Sequence, residues 1–137
     1  MAKILCIDDD QDVLDTCQFL LKEQGHTVET ATNGKAGYAK AKTVKPELIV
    51  LDVMMEDQTA GFHAAYNFRN DDSLKHTPIL MLTSVNQKTG MKFDPKKDGE
   101  FLPVDAFIEK PILREKFLAT VSKLLALSKS QINVGKK

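Results

Sequence analysis

The sequence predicts an α/β domain built on a doubly wound parallel β-sheet with helices on both faces. Three observations carry this. Short unbroken apolar runs, "KILCI" (3–7), "ELIVL" (47–51) and "PILMLTS" (78–84), alternate with segments of helical spacing. Strand–helix alternation implies crossover connections and a parallel sheet. The runs are continuous rather than alternating apolar with polar, which marks strands buried on both faces. A length of 137 residues with 42% apolar content suits one domain with a real core.

Each element has its own signal. "KILCI" ends at three aspartates, Asp8, Asp9 and Asp10. In "DVLDTCQFLLKEQG" (12–25), Val13, Leu14, Cys17, Leu20 and Leu21 recur at helical spacing, with Asp10 placed to cap the start and Gly25 to close the end. "TVETA" (27–31) alternates as a half-buried strand does. "NGKAGYAKAKTV" (33–44) is alanine-rich and helical, with Asn33 at its cap. "ELIVL" follows. "GFHAAYNFRN" (61–70) reads as a helix with Phe62, Ala65, Tyr66 and Phe68 apolar. "PILMLTS" is the next buried strand, and "DAFIEKP" (105–111) holds a last short apolar piece. "LREKFLATVSKLLALS" (113–128) is an amphipathic helix with Leu113, Phe117, Leu118, Val121, Leu124 and Leu125 on one side. The irregular stretch 85–103 is long for a loop in a compact domain. The polar end "SKSQINVGKK" (128–137) is expected to fray.

Composition narrows the function classes. Lysine plus arginine and aspartate plus glutamate number 19 each, for a net charge of zero. Phosphate backbones are met by clustered excess positive charge, so a dedicated nucleic-acid binder is disfavoured. No apolar stretch reaches the roughly 18 residues of a membrane span, and "MAKILCIDDD" is no signal peptide. Cys6 and Cys17 sit in apolar settings and form no C-x-x-C pair, which fits buried thiols in the reducing cytoplasm. His26, His63 and His76 lack ligand spacing. A calcium loop through Asp8, Asp10 and Asp12 fails, because Val13 stands where glycine is needed and Phe19 where glutamate is.

In a doubly wound sheet, ligands sit at the carboxyl ends of the strands. There this sequence places Asp8, Asp9 and Asp10, then Asp52, then Thr83 and Ser84, then Lys110. Crowded carboxylates need a cation, and hard oxygen donors with room for water suit Mg²⁺. A metal and a lysine can neutralise an incoming phosphoryl group. Asp52 stands alone at its strand end and can act as a nucleophile forming an acyl phosphate. Asp8 and Asp9 would hold the metal, Thr83 would donate to a phosphoryl oxygen, and Lys110 would pair with another. Asp10 is assigned to capping.

In that order, "KILCIDDD", "PELIVLDVMM", "PILMLTS" and "FIEKP" resemble the signature segments of response-regulator receiver domains. The resemblance runs from about residue 3 to 128, a receiver domain over 1–128 followed by a tail at 129–137. It implies a flavodoxin-like five-stranded parallel sheet in order 2-1-3-4-5 with five helices. It implies Mg²⁺-dependent phosphorylation of Asp52 by a sensor histidine kinase or phosphotransfer protein, switching a face that binds an unknown downstream protein. Asp8 and Asp9 match the acidic metal pair, and Met54 the residue lending a backbone carbonyl to the metal. Thr83 and Lys110 match the hydroxyl and lysine. Phe107 matches the aromatic whose inward turn accompanies activation, and Lys110–Pro111 the bond that is cis in the family.

Two departures stand out. Glu56 replaces the usual proline, and 84–109 is longer than usual where a fourth helix of the output face would lie. Three functions compete. A phosphoacceptor signalling module, rather than a metabolic enzyme, leads. A degenerate receiver would bind partners without phosphorylation. A Mg²⁺-dependent aspartyl phosphohydrolase would need a second acid two residues after Asp52, where Met54 stands. With no effector segment after the receiver match, the expected action is protein contact, without nucleic acid or membrane.

Overall fold

The computed structural model describes residues 2–52, 66–83, 105–109 and 112–135. Five strands, β1 (Lys3–Ile7), β2 (Thr27–Ala31), β3 (Leu48–Asp52), β4 (Ile79–Thr83) and β5 (Ala106–Glu109), form one sheet in the order β2-β1-β3-β4-β5. All four pairings are parallel. The helices are α1 (Gln11–Glu23), α2 (Gly34–Val44) and α3 (Arg114–Gly135), with a further helical stretch at 66–70.

Strand residues alternate between two cores, because successive side chains leave a strand on opposite faces. Ile4, Cys6, Leu48, Val50, Leu80, Leu82 and Ile108 meet Leu14, Cys17, Leu20 and Leu21 of α1 and Phe117, Val121 and Leu124 of α3. Leu5, Ile7, Ile49, Leu51, Ile79 and Met81 meet Ala41 of α2, Phe68 and Leu74. Both faces are thus covered, and β3 is buried at every residue.

The predicted punctuation holds. Asp10 caps α1 by accepting from the Asp12 N–H at 2.9 Å, and Asn33 caps α2 by accepting from Ala36 at 2.7 Å. Gly25 closes α1 with φ 87°. Its N–H donates to Lys22 and that of His26 to Leu21, a Schellman closure that only a residue without a Cβ adopts cheaply. Gly37 lets α2 approach β1, for a Cβ there would lie 2.4 Å from Ile7 Cδ1. Beyond α2, Asp71 gathers the Tyr38 hydroxyl at 2.6 Å, Lys42 at 3.2 Å and the Ser73 hydroxyl at 2.6 Å. Those donors, Ser73 first and Tyr38 next, hold its carboxyl well below the usual carboxylate range.

Three expectations need correction. The end expected to fray from 128 is helical through Gly135. Once a helix is nucleated, each added residue costs little, and no proline interrupts this stretch. Leu113 is exposed rather than part of the apolar stripe. It precedes the helix, its carbonyl accepting from Phe117 N–H, so its side chain is outside the helical phase. Tyr66 is exposed while Phe68 is fully buried. Two residues apart on a helix lie about 200° apart, so one face cannot take both. Residues 53–65, with Met54, Glu56, Phe62 and Ala65, lie outside the described residues, as do 84–104, Lys110 and Pro111.

Candidate functional site

The strand order sets the site. The chain leaves β1 for β2 on one side and returns to β3 on the other, so the connections diverge between β1 and β3. Register puts Ile7 beside Leu51, and the next residues are Asp8 and Asp52. Along the same row Asp52 pairs with Leu82, and Leu82 with Ile108. Thr83 pairs with Glu109 one residue further on, so it ends β4 just past the level of Asp52. Phe107 pairs with Met81 and is half-buried against the second core.

Asp8, Asp9 and Asp52 each offer a carboxylate oxygen, and these oxygens lie within 4.8 Å of one another. Asp8 and Asp52 are 1% and 2% exposed, while Asp9 faces solvent. The Asp10 N–H donates to Asp8 Oδ1 at 2.9 Å, so the residue that caps α1 also holds this carboxylate. The expected cap at Asp10 is present, and Asp8, Asp9 and Asp52, expected to face a metal, lie together.

Two buried carboxylates and one exposed one are costly together unless a cation or proton joins them. Oxygen-only donors with one side open to water fit Mg²⁺, which keeps several waters, better than a closed calcium cage or a nitrogen–sulfur zinc site. The donor set therefore fits the metal that the sequence implied. Cys6, two residues before Asp8, is a buried free thiol. Its hydrogen bond with Cys17, then burial, push its thiol well above the ordinary cysteine range.

Met54 and Lys110 lie outside the described residues. Sequence reasoning also missed Arg69 and Asp105, which the fold joins at 2.6 Å. They stand 36 positions apart, so no local pattern links them.

The response regulator receiver domain model matches residues 4–122. The chain belongs to the response regulator receiver domain family. It is a signalling module of two-component systems. Protein PilG of Pseudomonas aeruginosa is 33% identical over 119 residues, covering 87% of this chain and 84% of that one. The DNA-binding dual master transcriptional regulator RpaA of Synechocystis is 34% identical over 125 residues, 91% of this chain but only 49% of that protein. The chain thus spans about half the length of RpaA and most of PilG. The solved structure of Vibrio cholerae chemotaxis protein CheY4 superposes with a TM-score of 0.78 at 32% identity, covering 90% of this chain and 98% of that one. The receiver domain shares its flavodoxin-like sheet. Among the described residues, no helix is long and apolar enough to cross a membrane.

Proposed function

We propose that Asp52 is the phosphoacceptor of this receiver domain, with Asp8 and Asp9 completing a Mg²⁺ site. The observation that carries the reading is the convergence of the three carboxylates at the ends of β1 and β3. Asp52 is nearly fully buried at the last residue of a rigid strand, which favours a fixed angle of attack.

The donor is a phosphohistidine of a sensor kinase or phosphotransfer protein. An Asp52 carboxylate oxygen attacks phosphorus, the new P–O bond forms, and the P–N bond breaks with its electron pair passing to the imidazole nitrogen. Mg²⁺, held by Asp8, Asp9, Asp52 and the Met54 carbonyl, would supply positive charge against the carboxylates and the transferred phosphoryl oxygens. Lys110 pairs with one phosphoryl oxygen and the Thr83 hydroxyl donates to another. Movement of Thr83 opens room for the Phe107 ring to turn inward, and a local charge change thereby biases a two-state face. Self-catalysed hydrolysis of the acyl phosphate resets it. The module works in the cytoplasm on a protein target.

The test is intact-protein mass after incubation with acetyl phosphate, in Mg²⁺ and in EDTA, for wild type and Asp52→Asn. The expected result is a Mg²⁺-dependent gain of one phosphoryl group that the variant lacks. Equal labelling of the variant would overturn the assignment. Absence of labelling in wild type, together with no binding of beryllofluoride, would turn the reading to phosphorylation-independent partner binding.

A further inference from the structure

β5 offers few side chains to fix its register: Ile108 lies in one core, and Ala106 and Phe107 are half-buried against the first and second cores. Among the described residues it is an edge strand of four residues with one neighbour, β4, and of its side chains only Ile108 is fully buried. Register is specified by burial of one face or by a tight turn, and β4 ends at Thr83 while β5 begins at Ala106, too far apart in sequence for a tight hairpin to set it. A slip of one residue would shift the strand by about 3.3 Å and exchange the faces of Phe107 and Ile108. Lys110 follows directly on Glu109 in sequence, so the register of β5 bears on the lysine assigned to the phosphoryl group.

At the opposite end of β5 from the site, five hydrogen bonds converge. Asp105 N–H donates to Ile79 O at 2.9 Å. Asp105 Oδ2 accepts from Ile79 N–H at 2.9 Å and from Arg69 Nη2 at 2.6 Å. Arg69 Nη1 donates to Thr77 O at 2.6 Å and to Lys75 O at 3.1 Å. The entry of β5 is therefore tied to the first residue of β4 and to the turn before it. Every partner lies outside 84–104.

We propose that Arg69 and Asp105 are positioning residues for the phosphoryl-transfer site. They lock β5 in the register that sets Phe107 beside Met81 and Glu109, the residue before Lys110 in sequence, beside Thr83. This rests on the phosphoacceptor reading for its chemical consequence but not for its structural one. The pair sets β5 from its entry, whatever the length of the connection before it. It has no part in holding Asp8, Asp9 or Asp52, which belong to β1 and β3 and the residues just after β1.

That separation gives the test. In Asp105→Ala, the rate of phosphorylation by acetyl phosphate should fall about tenfold or more, because small misplacements of a charged group cost that much. Mg²⁺ affinity, measured by calorimetry, should stay within about twofold, since its ligands are on other strands. Asp105→Asn keeps an oxygen acceptor and should recover most of the rate, and Arg69→Ala should resemble Asp105→Ala. Amide hydrogen exchange of β5 should quicken in both alanine variants while that of β1 and β3 does not. A folded Asp105→Ala protein with wild-type phosphorylation rate would overturn the proposal, as would a rate and a Mg²⁺ affinity that fall together. If wild type takes no phosphoryl group, the phosphoacceptor reading fails. The exchange data then decide the register claim alone: unchanged β5 exchange overturns it, and selective β5 opening upholds it.

Discussion

Replacing Asp52 by asparagine should stabilise the ion-free protein while removing its response to Mg²⁺. The carboxylate oxygens of Asp8, Asp9 and Asp52 lie within 4.8 Å. At that separation two unit charges repel by about 3.5 kcal/mol in a partly buried setting of effective dielectric ~20, and by about 0.9 kcal/mol in water. Asp8 and Asp52 are buried and take the first figure, whereas the exposed Asp9 takes one nearer the second. Asp52→Asn thus removes about 4 kcal/mol of repulsion. Structural relaxation and screening absorb part of this, leaving a net gain of about 1–2 kcal/mol, or roughly 4–8 °C in Tm. Mg²⁺ works in the other direction. If bound at the proposed site, at a hundredfold excess over its Kd it would stabilise wild type by about 2.7 kcal/mol, and the variant, lacking one ligand charge, should gain little. The assay is thermal unfolding of both proteins in EDTA and across a MgCl₂ titration. An Asp52→Asn protein less stable than wild type in EDTA, or an equal Mg²⁺ response in the two, would refute the charge-crowding argument.

Other perturbations separate chemistry from packing. Lys110→Ala should still accept a phosphoryl group, at least as slowly as Asp105→Ala, but fail to switch; phosphorylation-induced NMR shifts around Thr83 and Phe107 that match wild type would contradict this. Gly37→Val should destabilise by about 1–3 kcal/mol in urea unfolding, because its Cβ would collide with Ile7 in a packed core. His26 is held below its ordinary value of 6.5, chiefly by burial, while its Nδ1 accepts from the Ala2 N–H at 3.1 Å. The unfolded chain therefore takes up this proton first. The stability contribution is full above 6.5 and is lost as pH falls below it. His26→Gln should flatten that part of the profile, seen as a smaller difference in urea midpoint between pH 7.5 and 5.5 than in wild type.

Most of the secondary structure was legible because its signals are local. Asp10, Gly25 and Asn33 mark helix ends by backbone chemistry that needs no distant partner, and each does so in the fold. The unbroken runs at β1, β3 and β4 announced burial on both faces. Orientation near helix ends was less legible: Leu113 and Tyr66 are apolar but exposed, since phase depends on where the helix begins and which neighbour covers it. The helical course of α3 to Gly135 was hidden by polar composition, which reports exposure rather than backbone conformation.

The amino-acid sequence by itself determined the class of fold, the carboxylates at the strand ends and the donor chemistry that suits Mg²⁺. Those follow from periodicity and residue type, and the strand order came from family resemblance. Tertiary structure alone decided that Asp8, Asp9 and Asp52 share one site while Asp10 turns to α1. It alone joined Arg69 to Asp105 and gathered Tyr38, Lys42 and Ser73 on Asp71. Such contacts join residues distant in sequence, and no local pattern encodes them; they exist only once parallel strands and packed helices have fixed the distances between them.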